Sequence, residues 1–107
     1  MQPRSSFSND DFHRFFLSVS KNDLPTFNAL VQAGIDTNFR FEDDNSTVLH
    51  AASHGGCLEI VKILLEKNPS LINKKTTNDI TALHLAAQQG HVEVVRLLRV
   101  YLQNVGL

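Results

Sequence analysis

The segment TALHLAAQQGHVEVVRLL at residues 81–98 repeats, without a gap, the segment TVLHAASHGGCLEIVKIL at residues 47–64. The offset between the two copies, measured from His50 to His84, is 34 residues. Both copies carry Thr, Leu, His, Ala, Gly and Glu at matching positions, and branched apolar residues follow the Glu in each. A repeat of this length predicts an array of stacked structural units rather than one irregular globule.

A third, altered copy lies one further offset upstream. Its apolar positions are kept, whereas the Thr-x-Leu-His signature is lost. The correspondence places Phe15 at Leu49, Ser18 at Ala52, Asn22 at Gly56, Leu24 at Leu58, Phe27 at Val61 and Leu30 at Leu64. Because the end unit of a stack presents a different outer face, an altered first copy is expected there.

Each copy has the pattern of two short helices. Apolar and small residues follow a helical period after Thr47 and Thr81, whose hydroxyls can cap the first helix. Asp10 or Asp11 can start the corresponding helix of the altered copy. The same period places Leu83 in the buried layer, so Leu83→Ala is expected to cost about 2–5 kcal/mol.

The connections between helices carry their own signals. Asn22, Gly56 and Gly90 are suited to a left-handed backbone at the exit of each first helix. Pro69 cannot continue a helix, which places the end of the preceding second helix near Asn68. Together these signals predict helix-turn-helix units of similar length.

The second complete copy resembles the ankyrin repeat. It has the Thr-x-Leu-His-x-Ala-Ala opening, the Gly-His connection and the Val-Val-Arg-Leu-Leu second helix of that family, and residues 34–38 resemble its closing segment. The resemblance covers roughly residues 10–100. The sequence departs from the family pattern at four positions, where Val48 and Ala82 replace a Pro and Asp44 and Asp79 replace a turn Gly.

The resemblance implies an all-α solenoid of stacked helix-turn-helix units joined by short β-hairpin-like loops. It implies a single domain over residues 1–107. The expected repeats are residues 10–43 (a degenerate N-terminal cap), residues 44–77, and residues 78–107 (incomplete or capping).

Composition narrows the possible partners. The 107 residues contain ten Lys or Arg and eleven Asp or Glu, for a formal net charge of −1, which does not favour nucleic acid. No apolar run is long enough for a membrane span, and residues 1–6 do not resemble a secretory signal. The single cysteine, Cys57, favours a reducing compartment. We therefore expect a cytoplasmic protein, with the nucleus or delivery into a host cell left open.

The candidate chemical groups favour structural roles. In the family, the His of the Thr-x-Leu-His motif hydrogen-bonds to loop backbone, which implies this role for His50 and His84. The spacing of His50, His54 and Cys57 resembles part of a zinc site, but no fourth ligand is evident. Cys57 has no obvious activating base. We predict no catalytic, cofactor-binding or metal-binding residues, and no enzyme activity.

The resemblance instead implies a non-enzymatic protein-binding module. Its partner surface would consist of the hairpin loops and the exposed positions of the first helices. Carried over by position, these residues are Ser20, Lys21, Arg40, Glu42, Asp43, His54, Gly55, Lys75, Thr77, Asn78, Gln88 and Gln89. Phe39 and Phe41 are added because they alternate along the first loop. The partner would be another protein, with no role for nucleic acid or membrane.

The two loops differ in character. Glu42, Asp43 and Asp44 make the first acidic, whereas Lys74 and Lys75 make the second basic, which suits a partner of mixed charge or simply keeps both loops soluble. Phe39 and Phe41 alternate, so both face one side of an extended segment. They either pack on the Phe-rich N-terminal repeat, which holds Phe12, Phe15, Phe16 and Phe27, or form a partner hot spot.

The C-terminal end leaves two alternatives open. Residues 97–107 are apolar for an exposed face and lack the Gly-x-Asp-x-Asn closure, so either the array continues or another chain covers this end. Self-association is one form of the second alternative. The first suggests an alternative function, a regulatory or targeting fragment of a larger enzyme or of a host-directed bacterial effector. The resemblance also raises hydroxylation of Asn38, against a purely turn-stabilising role.

Overall fold

The computed structural model describes residues 7–105, and within them the chain forms six α-helices and no strand. The helices are α1 (Asn9–Ser20), α2 (Leu24–Gln32), α3 (Val48–Gly55), α4 (Leu58–Lys67), α5 (Ala82–Gln88) and α6 (Val92–Val105). A 3-10 helix, Pro69–Asn73, follows α4. The predicted all-α architecture is confirmed.

The helices form three hairpins that stack side by side. Helix α3 packs between α1 and α5, and α4 packs against α6, with the 3-10 helix contacting both α4 and α6. The hairpins are α1–α2, α3–α4 and α5–α6. The repeat boundaries 10–43, 44–77 and 78–107 stay a prediction, and residues 106–107 lie outside the described part. The first helices therefore line one side of the stack, next to the loops that join successive hairpins.

The helix starts follow from capping chemistry. Thr47 and Thr81 are the N-caps of α3 and α5, as predicted. The prediction for α1 was wrong, because Ser8 is the cap and Asp11 lies inside the helix. Its carboxylate accepts the Ser8 backbone N–H at 3.0 Å while the Ser8 hydroxyl accepts the Asp11 N–H at 3.3 Å. Each side chain thus accepts a hydrogen bond from the backbone N–H of the other residue.

Left-handed residues close the turns. Asn22, Gly56 and Gly90 have φ values of 55°, 71° and 73°, as predicted for the exits of the first helices. In the hairpin loops the left-handed residues are Asn45 and Asp79. Asp44 was predicted at the position of the turn Gly, but the left-handed residue of the first loop is Asn45. Asn45 lies one 34-residue repeat before Asp79.

The core is deepest in the middle hairpin. Leu49, Ile60 and Leu65 are fully buried because this hairpin has a neighbour on each side. In the third hairpin Leu83, which corresponds to Leu49, is only half-buried, which corrects its expected place in the core. Arg99, which corresponds to the buried Leu65, is exposed.

The third hairpin also differs in length. Helix α4 ends at Lys67, where Pro69 begins the 3-10 helix, whereas α6 has no such Pro and continues to Val105. Residue 101, the counterpart of Lys67, lies inside α6. The last described helix therefore does not turn into a further loop at the point where α4 does.

All seven phenylalanines form one contact network in the first hairpin and its loop. The ring centroids of Phe15 and Phe27 stack at 5.3 Å, and those of Phe12 and Phe39 lie 4.6 Å apart. Phe7 joins through Phe12, and further ring pairs continue the network. Aromatic contacts therefore join α1, α2 and the first loop into one packed unit.

We expect Leu49→Ala to lower the free energy of unfolding by about 2–5 kcal/mol, since it opens a cavity between two hairpins. Leu83→Ala should cost less, about 1–2 kcal/mol, because that side chain already contacts water. Urea denaturation of both variants measures the difference. Equal losses would contradict the unequal burial of these corresponding residues.

The adjacent glycines Gly55 and Gly56 should respond in opposite directions. Gly56→Ala should destabilise the protein by about 1–2 kcal/mol or more, because φ is 71° and a Cβ would lie 2.6 Å from Nδ1 of His91. Gly55→Ala meets only Cys57 Sγ at 3.5 Å and lies in α3, so it should be neutral or stabilising by up to about 1 kcal/mol. Thermal unfolding in which both variants shift alike would be inconsistent with this turn geometry.

Candidate functional site

Two loops project from the stack and frame the candidate site. The first finger, residues 39–46, is closed by a hydrogen bond from the Phe41 N–H to the Ser46 carbonyl at 2.9 Å. The second finger, residues 74–80, is closed by a bond from the Thr76 N–H to the Ile80 carbonyl at 3.0 Å. Both are hairpin-like, as the family resemblance implied, although neither is regular enough to count as a strand.

The fingers are tied to each other. The Thr77 N–H donates to the Asp44 carbonyl at 2.9 Å, which joins their backbones directly. Nη1 of Arg40 donates to the carbonyls of Asn45 and Lys75, at 2.8 and 2.9 Å. Arg40 was predicted as a partner contact, but its guanidinium serves as a bridge between the fingers and is half-buried. The two loops therefore behave as one connected edge.

His50 fixes the base of this edge. The Thr47 N–H donates to Nδ1 of His50 at 3.0 Å, and Nε2 lies 3.0 Å from the Ile80 carbonyl. Nδ1 accepts, so the geometry requires the neutral ring with its proton on Nε2. One side chain, 2% exposed, thus caps α3 and also holds the second finger. The loop-binding role that the resemblance implied is present at this position.

Burial lowers the pKa of His50, and the nearby guanidinium of Arg40 acts in the same direction. The hydrogen bond to Ile80 and the carboxylate of Asp44 oppose the shift without cancelling it. The ring is therefore neutral near pH 7.

His84 repeats only half of this arrangement. The Thr81 N–H donates to its Nδ1 at 3.3 Å, so the cap of α5 is the same. The ring is exposed, and its hydrogen bonds within residues 7–105 are those with Thr81. The expected loop contact therefore occurs at His50 and not at His84.

A concave groove of about 330 Å³ runs between the first helices and the fingers. Three predicted site residues, Ser20, His54 and Asn78, line it together. The sequence analysis missed other members of its lining, which are Phe16, Ser46, Ala51, Thr76, Ile80 and Leu85. A signal existed for three of them, because Phe16, Ala51 and Leu85 precede predicted residues by three or four positions and so share their helix face.

The other predicted positions divide into two groups. Lys21, Gln88 and Gln89 are exposed at the ends of α1 and α5 but do not line the concave groove. Glu42, Asp43, Lys75 and Thr77 are exposed on the fingers. The structure thus gathers part of the predicted surface into one groove and spreads the rest along its rim.

Phe39 and Phe41 pack inward on the first hairpin. The Phe39 ring contacts Phe12, and the Phe41 ring meets Phe16 edge-to-face with centroids 5.0 Å apart. Both are half-buried. Of the two alternatives, packing is therefore present, and some of each ring remains available at the surface.

The charged side chains of the two fingers form no ion pairs within residues 7–105. In the described part of the chain the ion pairs join Arg14 to Asp11 and Lys62 to Glu59, each at 3.8 Å, and neither involves a finger. Hydrogen bonding from Ser46 lowers the pKa of Asp44 and keeps its carboxylate ionised. The acidic rim of the first finger is therefore charged and open to solvent.

Cys57 and His50 are engaged in internal hydrogen bonds. The Cys57 Sγ donates to the Val19 carbonyl at 3.3 Å, and burial raises the pKa of this thiol, which disfavours the nucleophilic thiolate. Both ring nitrogens of His50 already have partners. Across residues 7–105, His, Cys, Asp and Glu side chains do not assemble into a group of three that could hold a metal ion.

Asn38 takes part in a contact between successive hairpins. Its Oδ1 accepts from Nδ2 of Asn68 at 2.9 Å, and its N–H donates to the Asp36 carboxylate at 2.9 Å. The turn-stabilising role is therefore present, and hydroxylation of Asn38 remains a hypothesis.

Comparison with known proteins gives a consistent family match. A family model described as ankyrin repeats in three copies matches residues 15–105. Over 69 residues the chain is 41% identical to the ankyrin repeat and KH domain-containing protein mask-1 of Caenorhabditis elegans, which covers 64% of this chain and 3% of that protein. It is 34% identical over 83 residues to potassium channel AKT1 of Oryza sativa subsp. indica, covering 78% of this chain and 9% of the channel.

A third relative is the putative ankyrin repeat protein FPV115 of Fowlpox virus, 37% identical over 76 residues, with 71% of this chain and 13% of that protein covered. The chain thus spans a small part of the length of the relatives it matches. Separately, none of the helices within residues 7–105 is long and apolar enough to cross a membrane.

The neutral His50 ring predicts a specific pH dependence. A free His has a pKa of about 6.5, so above that value both folded and unfolded chains carry a neutral ring. As the pH falls below it, the unfolded chain gains a proton that the folded chain does not, and the free energy of unfolding decreases until the folded pKa is reached. His50→Gln keeps a capping side chain but loses the Ile80 bond, at a cost of about 1–3 kcal/mol near neutral pH.

Urea denaturation at about pH 7.5 and 5.5 should show the advantage of wild type over His50→Gln shrinking at the lower pH. The matched variant His84→Gln, at the exposed counterpart of His50, should change the free energy of unfolding very little at either pH. A His50 NMR resonance that titrates at or above the ordinary value would rule out this account.

Proposed function

Because this chain belongs to the ankyrin-repeat family, a family of protein–protein interaction modules, we propose that it binds a partner protein through its fingers and concave groove. The proposed contact residues are those predicted above except Arg40, together with the groove residues Phe16, Ser46 and Leu85. Arg40 holds the fingers in place and is a supporting residue in this proposal.

One observation carries the proposal: the two fingers and the groove beneath them are connected before any partner arrives. Three sets of hydrogen bonds fix the spacing between the two fingers. They are the backbone bond from Thr77 to Asp44, the two bonds that Arg40 donates to carbonyls, and the bond between His50 and the Ile80 carbonyl. A partner that meets a fixed surface loses less conformational entropy on binding. This arrangement favours recognition by rigid display rather than by folding of a loop around the partner.

Ankyrin repeats are generally non-enzymatic, and we extend this to the present chain. The support is chemical: the buried groups that could act on a substrate, His50 and Cys57, are held by backbone partners and lie in hydrogen bonds that fix the fold. The near-balanced net charge of −1 favours a protein over nucleic acid as the partner. No cofactor enters the proposal.

A second candidate function treats this chain as the targeting or regulatory part of a larger protein. The observation that favours it is the small share of each relative that the match covers, 3% to 13% in the three proteins above. A larger enzyme or a host-directed effector would use the same groove to select its partner. The cytoplasm is our proposed location, since Cys57 is a buried thiol, and the nucleus or a host cell would suit it equally.

Self-association through the C-terminal end is a separate hypothesis. Val92 and Val100 are more than half exposed on α6, and Leu83 and Leu97 are half-buried. Sedimentation that shows a concentration-independent monomer would eliminate it.

The main proposal predicts that one substitution in the groove reduces partner binding while a matched one elsewhere does not. Proteins captured on the immobilised chain are identified, purified and titrated against wild type, Asn78→Arg and Asn73→Arg. Asn78 lines the groove and Asn73 is exposed at the end of the 3-10 helix. Asn78→Arg should weaken the Kd by about tenfold, the equivalent of about 1.4 kcal/mol.

Asn73→Arg should leave the Kd unchanged, and both variants should melt like wild type. If wild type, Asn78→Arg and Asn73→Arg all bind the partner with the same Kd, the groove is not the contact face. If none of the captured proteins binds the purified chain, the proposal that this chain is a protein-binding module would be contradicted.

A further inference from the structure

A second depression, the aromatic cleft, lies between α1 and the first finger. It has a volume of about 380 Å³ and is lined by His13, Phe16, Phe41, Asp43, Asp44 and Ser46. The cleft shares Phe16, Asp44 and Ser46 with the concave groove, so the two depressions lie side by side. A segment lying in the groove can therefore extend into the cleft.

The aromatic surface of the cleft is rigid. The rings of Phe16 and Phe41 meet at an angle of 74° with their centroids 5.0 Å apart, and Phe41 is held in turn by Phe39 at 4.8 Å. Both lining rings are half-buried. They are fixed by the phenylalanine network and still expose part of their surface, which suits contact with an apolar stem or with a cation.

Of the Asp, Glu, Lys and Arg residues, the two that line the cleft are both acidic. Asp43 and Asp44 line the cleft, and neither Lys nor Arg is among its lining residues. Arg40 lies in the adjoining cleft on the far side of Phe41, together with Glu42, and its Nη1 is bonded to the carbonyls of Asn45 and Lys75.

Asp44 is held in position by its own loop. Its Oδ1 accepts the Ser46 N–H at 3.1 Å, and its carbonyl accepts the Thr77 N–H at 2.9 Å. Asp43 is exposed beside it. The cleft thus combines fixed aromatic surface with two carboxylates, a combination complementary to a side chain that has an apolar stem and a positive end.

We propose that the aromatic cleft receives a Lys or Arg side chain from an extended segment of the partner, while the segment continues along the concave groove. This inference rests on the proposed function and specifies the chemistry of the partner. The stem of the basic side chain packs on Phe16 and Phe41, and its charge interacts with Asp43 and Asp44. Apolar neighbours in the segment reach Leu85 and Ala51 farther along the groove.

The test uses a phage-displayed library of short random peptides selected on the immobilised full chain. Enriched peptides are synthesised with a fluorescent label, and their Kd values are measured by anisotropy. The expected result is a set of peptides that share one Lys or Arg, whose replacement by Gln weakens binding. Because the contact is electrostatic, raising the salt concentration should weaken it as well.

Three variants locate the basic residue. Asp43→Asn should weaken the Kd by about two- to fivefold, as expected for one partly exposed ion pair. Glu66→Gln removes one carboxylate from the exposed surface of α4 and should have no effect. Asp43→Lys should abolish binding of the Lys peptide and restore binding of a peptide in which that Lys is changed to Glu.

The outcomes separate this inference from the proposed function. Selected peptides without a shared basic residue, or with one that is insensitive to Asp43→Asn, would overturn the basic-segment inference. If their binding were still lost in Asn78→Arg, the concave groove would stand as a protein-binding surface. Absence of any enriched peptide would also overturn the inference, whereas the titrations with captured proteins would decide the proposed function independently.

Discussion

The structure depends on the burial of each helical hairpin by its neighbours. No hairpin of two short helices can cover its own apolar surface, so core side chains of the middle one, such as Leu49 and Leu65, are fully buried because it has a neighbour on each side. The first and third hairpins of the described stack differ from the middle one. At the first hairpin seven phenylalanines pack together, and at the third Leu83 is only partly buried while Arg99 occupies the position of the buried Leu65.

Stacking also produces the candidate site. Because successive first helices lie side by side, the loops between hairpins emerge next to each other and can be joined by backbone hydrogen bonds. His50 connects the two levels, since the ring that caps α3 also holds the second finger. The contacts that stabilise the stack thus also form the groove. The shape of the groove therefore depends on how firmly the hairpins are packed.

Much of this arrangement was predictable from the sequence, for identifiable reasons. The 34-residue offset, the Thr caps and the left-handed exits are local signals, and the structure confirms them at Thr47, Thr81, Asn22 and Gly56. What the sequence did not reveal depends on contacts between repeats. Ser8 was missed as a cap because the altered repeat lacks the Thr signature. The bridging role of Arg40 was missed because its acceptors, Asn45 and Lys75, belong to different fingers.

The fingers are held together largely through main-chain groups. The closing bonds and the link from Thr77 to Asp44 use main-chain N–H and carbonyl groups, and Arg40 also bonds to carbonyls. Side chains at the tips, such as Glu42, Asp43 and Asn78, are exposed and contribute little to this frame. Exchanging them should alter which molecules are recognised without changing the distance between the loops, so selectivity can evolve, or be engineered, on a scaffold whose dimensions stay constant.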